Sequence, residues 1–299
     1  MKIGLVLSGG GARGAYQIGV WKALKELRID RYIEVVSGTS IGALNAILFC
    51  QGDIEKAIEA WLNISKEKVL PIDKKDLNIK GFLISLGLKN MNLVKKCMPK
   101  MIDTGNLSRE GLTDIMNKYV DFKIIEECEK PCYVACTELT TFQPKYFKIN
   151  RYNEENIKSI LFASSALPMI YESEEFESIK YLDGGMADNV PVQPVYGENC
   201  DMIIVVHLSK DSHINKKLFP NTRIIEIYPS AMEEGVLDGI LDFVPESAEK
   251  RMKLGYIDTI NYLKPIMDLG VLIFKHKAIP EVDPQKVINY VKNKFIKKE

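Results

Sequence analysis

Ile3-Gly4-Leu5-Val6-Leu7-Ser8-Gly9-Gly10-Gly11-Ala12-Arg13-Gly14 opens the chain with an apolar run that passes directly into a glycine cluster. The run predicts a buried strand. The glycines predict a turn where side chains would obstruct something or where positive φ is required. Downstream, Ala15 to Leu27 carries Tyr16, Val20, Leu24 and Leu27 at helical spacing, Ile33 to Val36 reads as a second strand, and Ile41 to Cys50 as a second helix. This order of strand, turn and helix, repeated, is that of a mostly parallel sheet with helices on its faces, so the fold class is α/β. The second helix is apolar nearly all round and therefore belongs between layers.

The character changes over about residues 65–125, where lysine-rich turns, the run Phe82-Leu83-Ile84-Ser85-Leu86 between Gly81 and Gly87, and a capped helix near Leu107 to Leu112 predict an inserted helical cap. Strands return at Cys132 to Cys136, Lys145 to Ile149, Met202 to Val206 and Arg223 to Tyr228; beyond about residue 235 the chain reads as helical and polar to its end at residue 299. The expectation is one domain with a core over about residues 3–210, a cap and a helical C-terminal region.

Composition excludes several classes. The 299 residues are 46% hydrophobic and 27% charged, enough to close a large core and too apolar for disorder. Forty basic residues balance forty acidic ones, so no global field favours nucleic acid, and none is expected as a partner. The apolar run at the N-terminus is too short for a signal peptide or a membrane span, which predicts a cytoplasmic protein with its six cysteines reduced. Cys128, Cys132 and Cys136 fall four apart, but on a strand at about 3.3 Å per residue the last two would sit about 13 Å apart, too far to share a metal. These cysteines are expected to be core thiols.

Three segments carry chemistry, each where a strand gives way to a turn. The glycines at 9 to 14 precede a helix N-terminus, whose unpaired N–H groups make an anion site, with Arg13 either buttressing the loop or adding charge. Ser37-Gly38-Thr39-Ser40-Ile41-Gly42 has the Gly-x-Ser-x-Gly form of a nucleophile elbow, in which Gly38 and Gly42 let strand and helix cross closely while Ser40 projects. Its plainer reading is a tight turn. Tyr181-Leu182-Asp183-Gly184-Gly185 ends a short apolar run in a carboxylate followed by two glycines. Alone it reads as a turn between strands. Beside a shielded hydroxyl, Asp183 is a base, although a carboxylate of ordinary pKa about 3.9 is a weak one in water. Asp188 and Asn189 are expected to fasten the loop.

Taken together, Gly-Gly-Gly-x-Arg-Gly at 9 to 14, Gly-x-Ser-x-Gly at 38 to 42 and Asp-Gly-Gly at 183 to 185 resemble the patatin-like phospholipases, above all bacterial ones, and Ala163-Ser164-Ser165-Ala166-Leu167-Pro168 resembles the segment before the family's aspartate. The resemblance spans about residues 3–210. It implies a three-layer α/β/α acyl hydrolase with a Ser-Asp dyad, no metal and no cofactor, acting on lipid or other acyl esters. Ser40 is then the nucleophile, Asp183 the base, and the N–H groups of Gly9, Gly10 and Gly11, with Arg13 beside them, the oxyanion hole. Some members carry an acidic residue where this chain has Ser8.

Three alternatives stay open at this point, one of them a lipid-binding or scaffolding protein with a dead site, against which stand the retained serine, aspartate and glycines. Gly9-x-Gly11-x-x-Gly14 is also a dinucleotide fingerprint in its proper context, though the second strand lacks the acidic residue that would hold a ribose. Of the three histidines, His207 follows a strand and could serve a Ser-His-Asp hydrolase. Peripheral membrane contact would arise at Gly81 to Leu88 and at Lys292, Lys294, Lys297 and Lys298, for which a packed helix and a solvated tail are the plainer readings.

Overall fold

The computed structural model describes residues 2–69, 107–168, 170–232, 235, 239–275 and 285. The apolar run at 81 to 88 and the terminal lysines lie outside them. Two compact units are distinguished, Met1–Thr259 and Ile260–Glu299. In the second, the described residues 260–275 are helical and expose Ile266, Leu269, Val271 and Leu272.

The first unit is built on an eight-stranded sheet. Its strands are β1 (Ile3–Leu7), β2 (Ile33–Thr39), β3 (Cys132–Glu138), β4 (Pro144–Lys148), β5 (Glu174–Phe176), β6 (Ile179–Asp183), β7 (Met202–Val206) and β8 (Arg223–Ile227). The order is β5-β6-β3-β2-β1-β7-β8, with β4 also on β3. From β3 to β8 the ladders are parallel, while β4, β5 and β6 join by antiparallel pairs. β1 is central, so the chain leaves it toward β2 on one side and returns through β7 on the other. The end of β1 is thus the switch point at which open α/β sheets form their crevice.

Helices α1 (Ala15–Glu26), α2 (Ile41–Gln51), α3 (Ile54–Asn63), α4 (Lys66–Val69), α5 (Glu110–Tyr119), α6 (Phe122–Glu127), α7 (Glu154–Ser164) and α8 (Val192–Tyr196) follow in chain order, and α9 (Pro245–Lys275) begins in the first unit. The period-two alternation of β1 assigns the faces. Leu5 and Leu7 line one small cavity with Ile18, Val20 and Trp21 of α1 and Phe49 of α2. Val6 points the other way into a cluster with Val35, Val192, Val195, Ile203 and Val205. Each such buried side chain contributes roughly 1.5–3 kcal/mol against exposure. α2 is buried continuously from Gly42 to Cys50, as its apolar circumference requires.

β2 runs three residues further than its apolar core suggests. Ser37, Gly38 and Thr39 continue the ladder opposite Tyr133, Val134 and Ala135, because backbone pairing on both sides does not depend on side-chain polarity. Cys132 and Cys136 lie on β3 as predicted, and Cys50, Cys132, Cys136 and Cys200 are buried free thiols.

Candidate active site

One edge of β3 brings the two chemical segments together. β2 pairs with it up to Thr39↔Ala135, and β6, running the opposite way, takes over from Asp183↔Cys136. The other edge carries β4, opposite Tyr133 to Thr137. β2 and β6 therefore meet end to end, and the residue after Thr39 faces the last residue of β6. Ser40 Oγ donates to Asp183 Oδ2 at 2.7 Å.

Ser40 has φ 54° and ψ −123°, a conformation a residue with a side chain holds only under constraint. The constraint is close packing. A Cβ on Gly38 would lie 2.1 Å from the Gly42 carbonyl oxygen, and one on Gly42 would lie 2.3 Å from that of Leu7, so only glycines let α2 start this close to β1 and β2. Ser40 N–H donates to Ser164 Oγ at 2.9 Å, and Ser164 Oγ donates to the Ala135 carbonyl at 2.7 Å.

Asp183 is 4% exposed. Burial pushes its carboxyl up from 3.8 to about 6, against the stabilising hydrogen bonds from Ser40 and from the Gly185 N–H, the latter to Oδ1 at 2.8 Å. Gly184 and Gly185 form the turn that follows, and Thr137 Oγ1 donates to the Asp183 carbonyl at 2.8 Å. Asp188 and Asn189 fasten the loop as expected. Asp188 accepts from Tyr146 Oη at 2.6 Å and from Val190 N–H at 3.0 Å, and Asn189 reaches the glycine loop.

That contact refines the reading of the loop. Gly9 N–H donates to the Asn189 carbonyl at 3.1 Å, and Asn189 Nδ2 donates back to the Gly9 carbonyl at 3.2 Å. Gly9 is thus a fastening point, packed so that a Cβ on it would lie 3.4 Å from that of Ser40. Its N–H is not available to a substrate. Gly10 and Gly11 carry N–H groups without a hydrogen-bond partner among the described residues, as does Ala12. Gly11 has φ 56° and lies under the Ile240 carbonyl, 2.1 Å from where a Cβ would sit. Arg13 is buried, with Nη2 donating to the Gly235 carbonyl at 3.2 Å, which suits a buttress. Gly14 ends the short turn before α1.

Ser40 and Gly11 both open onto a cavity of about 70 Å³ lined by Ile41 and Leu44 of α2, Leu112 and Met116 of α5, Leu161 of α7, and Leu241 and Phe243. His207 is not part of this constellation. Its Nδ1 pairs with Ser212 Oγ and its Nε2 with Glu226 Oε2, both at 2.9 Å, and its ring stacks on Tyr228. That corrects the Ser-His-Asp alternative, because both ring nitrogens are engaged away from Ser40. Among the described residues, no group of His, Cys, Asp and Glu has the arrangement of a metal site. Sequence reasoning took Ser164 only as part of a resembling segment, and it passed over Thr39, Thr137 and Tyr146, whose hydroxyls reveal a role only once the strands are paired.

A family model described as patatin-like phospholipase matches residues 5–196. The chain belongs to the patatin-like phospholipase family. Among curated relatives, this patatin-like chain is 28% identical over 204 residues to a lysophospholipase nte1 of Aspergillus terreus, a match covering 68% of this chain and 12% of that protein. It is 24% identical over 208 residues to an NTE family protein of Mycobacterium bovis, covering 70% and 49% respectively. The matched region thus spans a small part of the fungal relative and about half of the mycobacterial one. Among solved structures, human GIVD cytosolic phospholipase A2 with methyl gamma-linolenyl fluorophosphonate aligns at TM-score 0.49 and 10% identity over 93% of this chain and 60% of that one. VipD from Legionella pneumophila aligns at TM-score 0.46 and 17% identity over 88% and 67%.

Proposed function

We propose that this chain is a lipid acyl hydrolase in which Ser40 is the nucleophile and Asp183 its general base. The observation that carries this reading is the 2.7 Å hydrogen bond from Ser40 Oγ to Asp183 Oδ2 at the mouth of an apolar cavity. Ser40 Oγ attacks the ester carbonyl carbon as its proton passes to Asp183, and the carbonyl π electrons move onto oxygen. The N–H groups of Gly10 and Gly11 hold that oxyanion, and each such donor contributes on the order of 3 kcal/mol to the transition state. Collapse expels the alcohol, which takes the proton from Asp183. Water then repeats the sequence on the acyl-serine, releasing the carboxylic acid and restoring both groups.

The apolar cavity suits an acyl chain, and the family supports a lipid ester as substrate. The name of the fungal relative, lysophospholipase, makes a single-chain phospholipid the first ester to test. Such a substrate would be met at a membrane surface; no helix among the described residues is long and apolar enough to cross one. The test combines fluorophosphonate labelling with hydrolysis of a short-chain aryl ester in the unsubstituted protein, Ser40→Ala and Asp183→Asn. Labelling and turnover are expected in the first only. Labelling that persists in Ser40→Ala would overturn the assignment.

A further inference from the structure

Behind the glycine loop lies a chain of three buried side chains that the reaction as written does not use. Trp61 Nε1 donates to Asn45 Oδ1 at 2.9 Å; Asn45 Nδ2 donates to Gln17 Oε1 at 2.8 Å and to the Gly14 carbonyl at 2.9 Å; Gln17 Nε2 donates to the Ser8 carbonyl at 2.8 Å. Gln17, Asn45 and Trp61 are each 2% exposed or less.

The direction of this chain is determined by chemistry. An indole N–H can only donate. It therefore turns Asn45 with its oxygen toward Trp61 and its NH₂ toward the loop, and that NH₂ in turn makes the Gln17 oxygen an acceptor. The Gln17 NH₂ is left to point at Ser8. The donors end on the carbonyls of Ser8 and Gly14, the first and last residues of the Ser8 to Gly14 segment. The Ser8–Gly9 peptide is then held from both sides, its oxygen by Gln17 and its N–H by the Asn189 carbonyl. The next two peptides present the free N–H groups of Gly10 and Gly11. Asn45 is also on α2, five residues after Ser40, so the relay ties the loop to the helix that carries the hydroxyl.

We infer that Gln17 and Asn45, oriented by Trp61, are positioning residues that aim the Gly10 and Gly11 N–H groups at the oxygen of the reacting ester. This rests on the hydrolase reading above. Without Gln17 the Ser8 carbonyl is buried without its partner, and the peptide turns to recover one. A displacement near 1 Å in a catalytic array costs about a hundredfold in rate. The effect falls on charge that develops only during reaction, so it belongs in kcat and not in KM.

The experiment compares the unsubstituted protein, Gln17→Met and Gln17→Glu with para-nitrophenyl butyrate, scaling rates to the sites titrated at end point by a fluorophosphonate so that unfolded protein does not count. Gln17→Met is expected to lower kcat about ten- to a hundredfold with KM within about twofold. Octylboronic acid, whose adduct with Ser40 places an oxygen among the loop N–H groups, should lose affinity by a similar factor. Octanol, which fills the cavity without an adduct, should not. Gln17→Glu keeps the acceptor for Asn45 and, while its buried acid is protonated, a donor for Ser8, so its kcat should exceed that of Gln17→Met at low pH and approach it as pH rises. Ser40-dependent turnover with kcat unchanged in Gln17→Met, or equal losses for boronate and octanol, would overturn the relay alone. Absence of Ser40-dependent turnover in the unsubstituted protein would overturn the hydrolase reading and the relay with it.

Discussion

Ser164 supports Ser40 from behind, accepting a hydrogen bond from its backbone N–H at 2.9 Å and donating one from its own hydroxyl to the Ala135 carbonyl at 2.7 Å. Both partners lie where no water replaces the hydroxyl, since Ser164 is fully buried. Ser164→Ala orphans a donor and an acceptor together and should destabilise the fold by about 2–4 kcal/mol. Urea unfolding measures this directly. It should be accompanied by a fall in kcat, because the strained φ of Ser40 loses its restraint. An unchanged unfolding midpoint would remove Ser164 from the support of the elbow.

Asp183 couples activity and stability with opposite signs. On the proposed mechanism Asp183 must be ionised to act as the base, so kcat/KM should rise with pH through about 6. For stability, the folded carboxyl holds its proton more tightly than the unfolded one, with a pKa near 6 against 3.8. Between those values the folded state binds more protons, so stability falls as pH rises across that window, by about 3 kcal/mol in all. Asp183→Asn should therefore lose turnover yet unfold at higher denaturant than the unsubstituted protein at pH 7, with the difference vanishing below about pH 4. Unfolding curves at several pH values check this, and a variant destabilised at pH 7 would contradict it.

His207 should matter to the fold and not to the chemistry. Its ring is buried against Tyr228 and joins Ser212 to Glu226. His207→Gln should lower Tm by several degrees while the titrated sites keep kcat within a few fold, and His213→Gln should change neither Tm nor kcat. Loss of kcat per titrated site in His207→Gln would revive a three-residue mechanism.

The cavity should set acyl preference. At about 0.8 kcal/mol per buried methylene, an octanoyl ester gains on the order of a hundredfold in kcat/KM over a butanoyl ester if four further methylenes are accommodated. Met116, on α5 and lining the cavity, is placed to control that. Met116→Trp should cut the octanoyl to butanoyl ratio by about tenfold or more with butanoyl turnover little changed. Equal losses on both esters would place the acyl chain elsewhere.

Much of this was legible in the residues because local chemistry and global fold agree there. Glycines at 11, 38, 42 and 184 mark close approaches of backbone to backbone, those at 9, 10 and 185 lie close against side chains, and such approaches leave a trace in the sequence. The apolar circumference of Ile41 to Cys50 likewise announced a buried helix. Other features depend on pairing, which no local pattern encodes. Gln17 and Asn45 look like ordinary polar positions on helices until Trp61 and the Ser8 carbonyl are brought beside them. The engagement of the Gly9 N–H depends on Asn189, 180 positions away. The His207 alternative arose because a histidine after a strand looks available, whereas Glu226 on the neighbouring strand β8 had already claimed it.

The end-to-end meeting of β2 and β6 on β3 has a consequence for how such a chain can change. The distance between hydroxyl and carboxylate is gauged by a single peptide step, Ala135 to Cys136, in a strand that contributes no reacting atom. That gauge is indifferent to the length of what lies between residues 40 and 132 or between 139 and 178. Segments there outside α2 and α7 can be exchanged, enlarged or trimmed, altering what the cavity admits, while the spacing of hydroxyl and carboxylate is inherited intact.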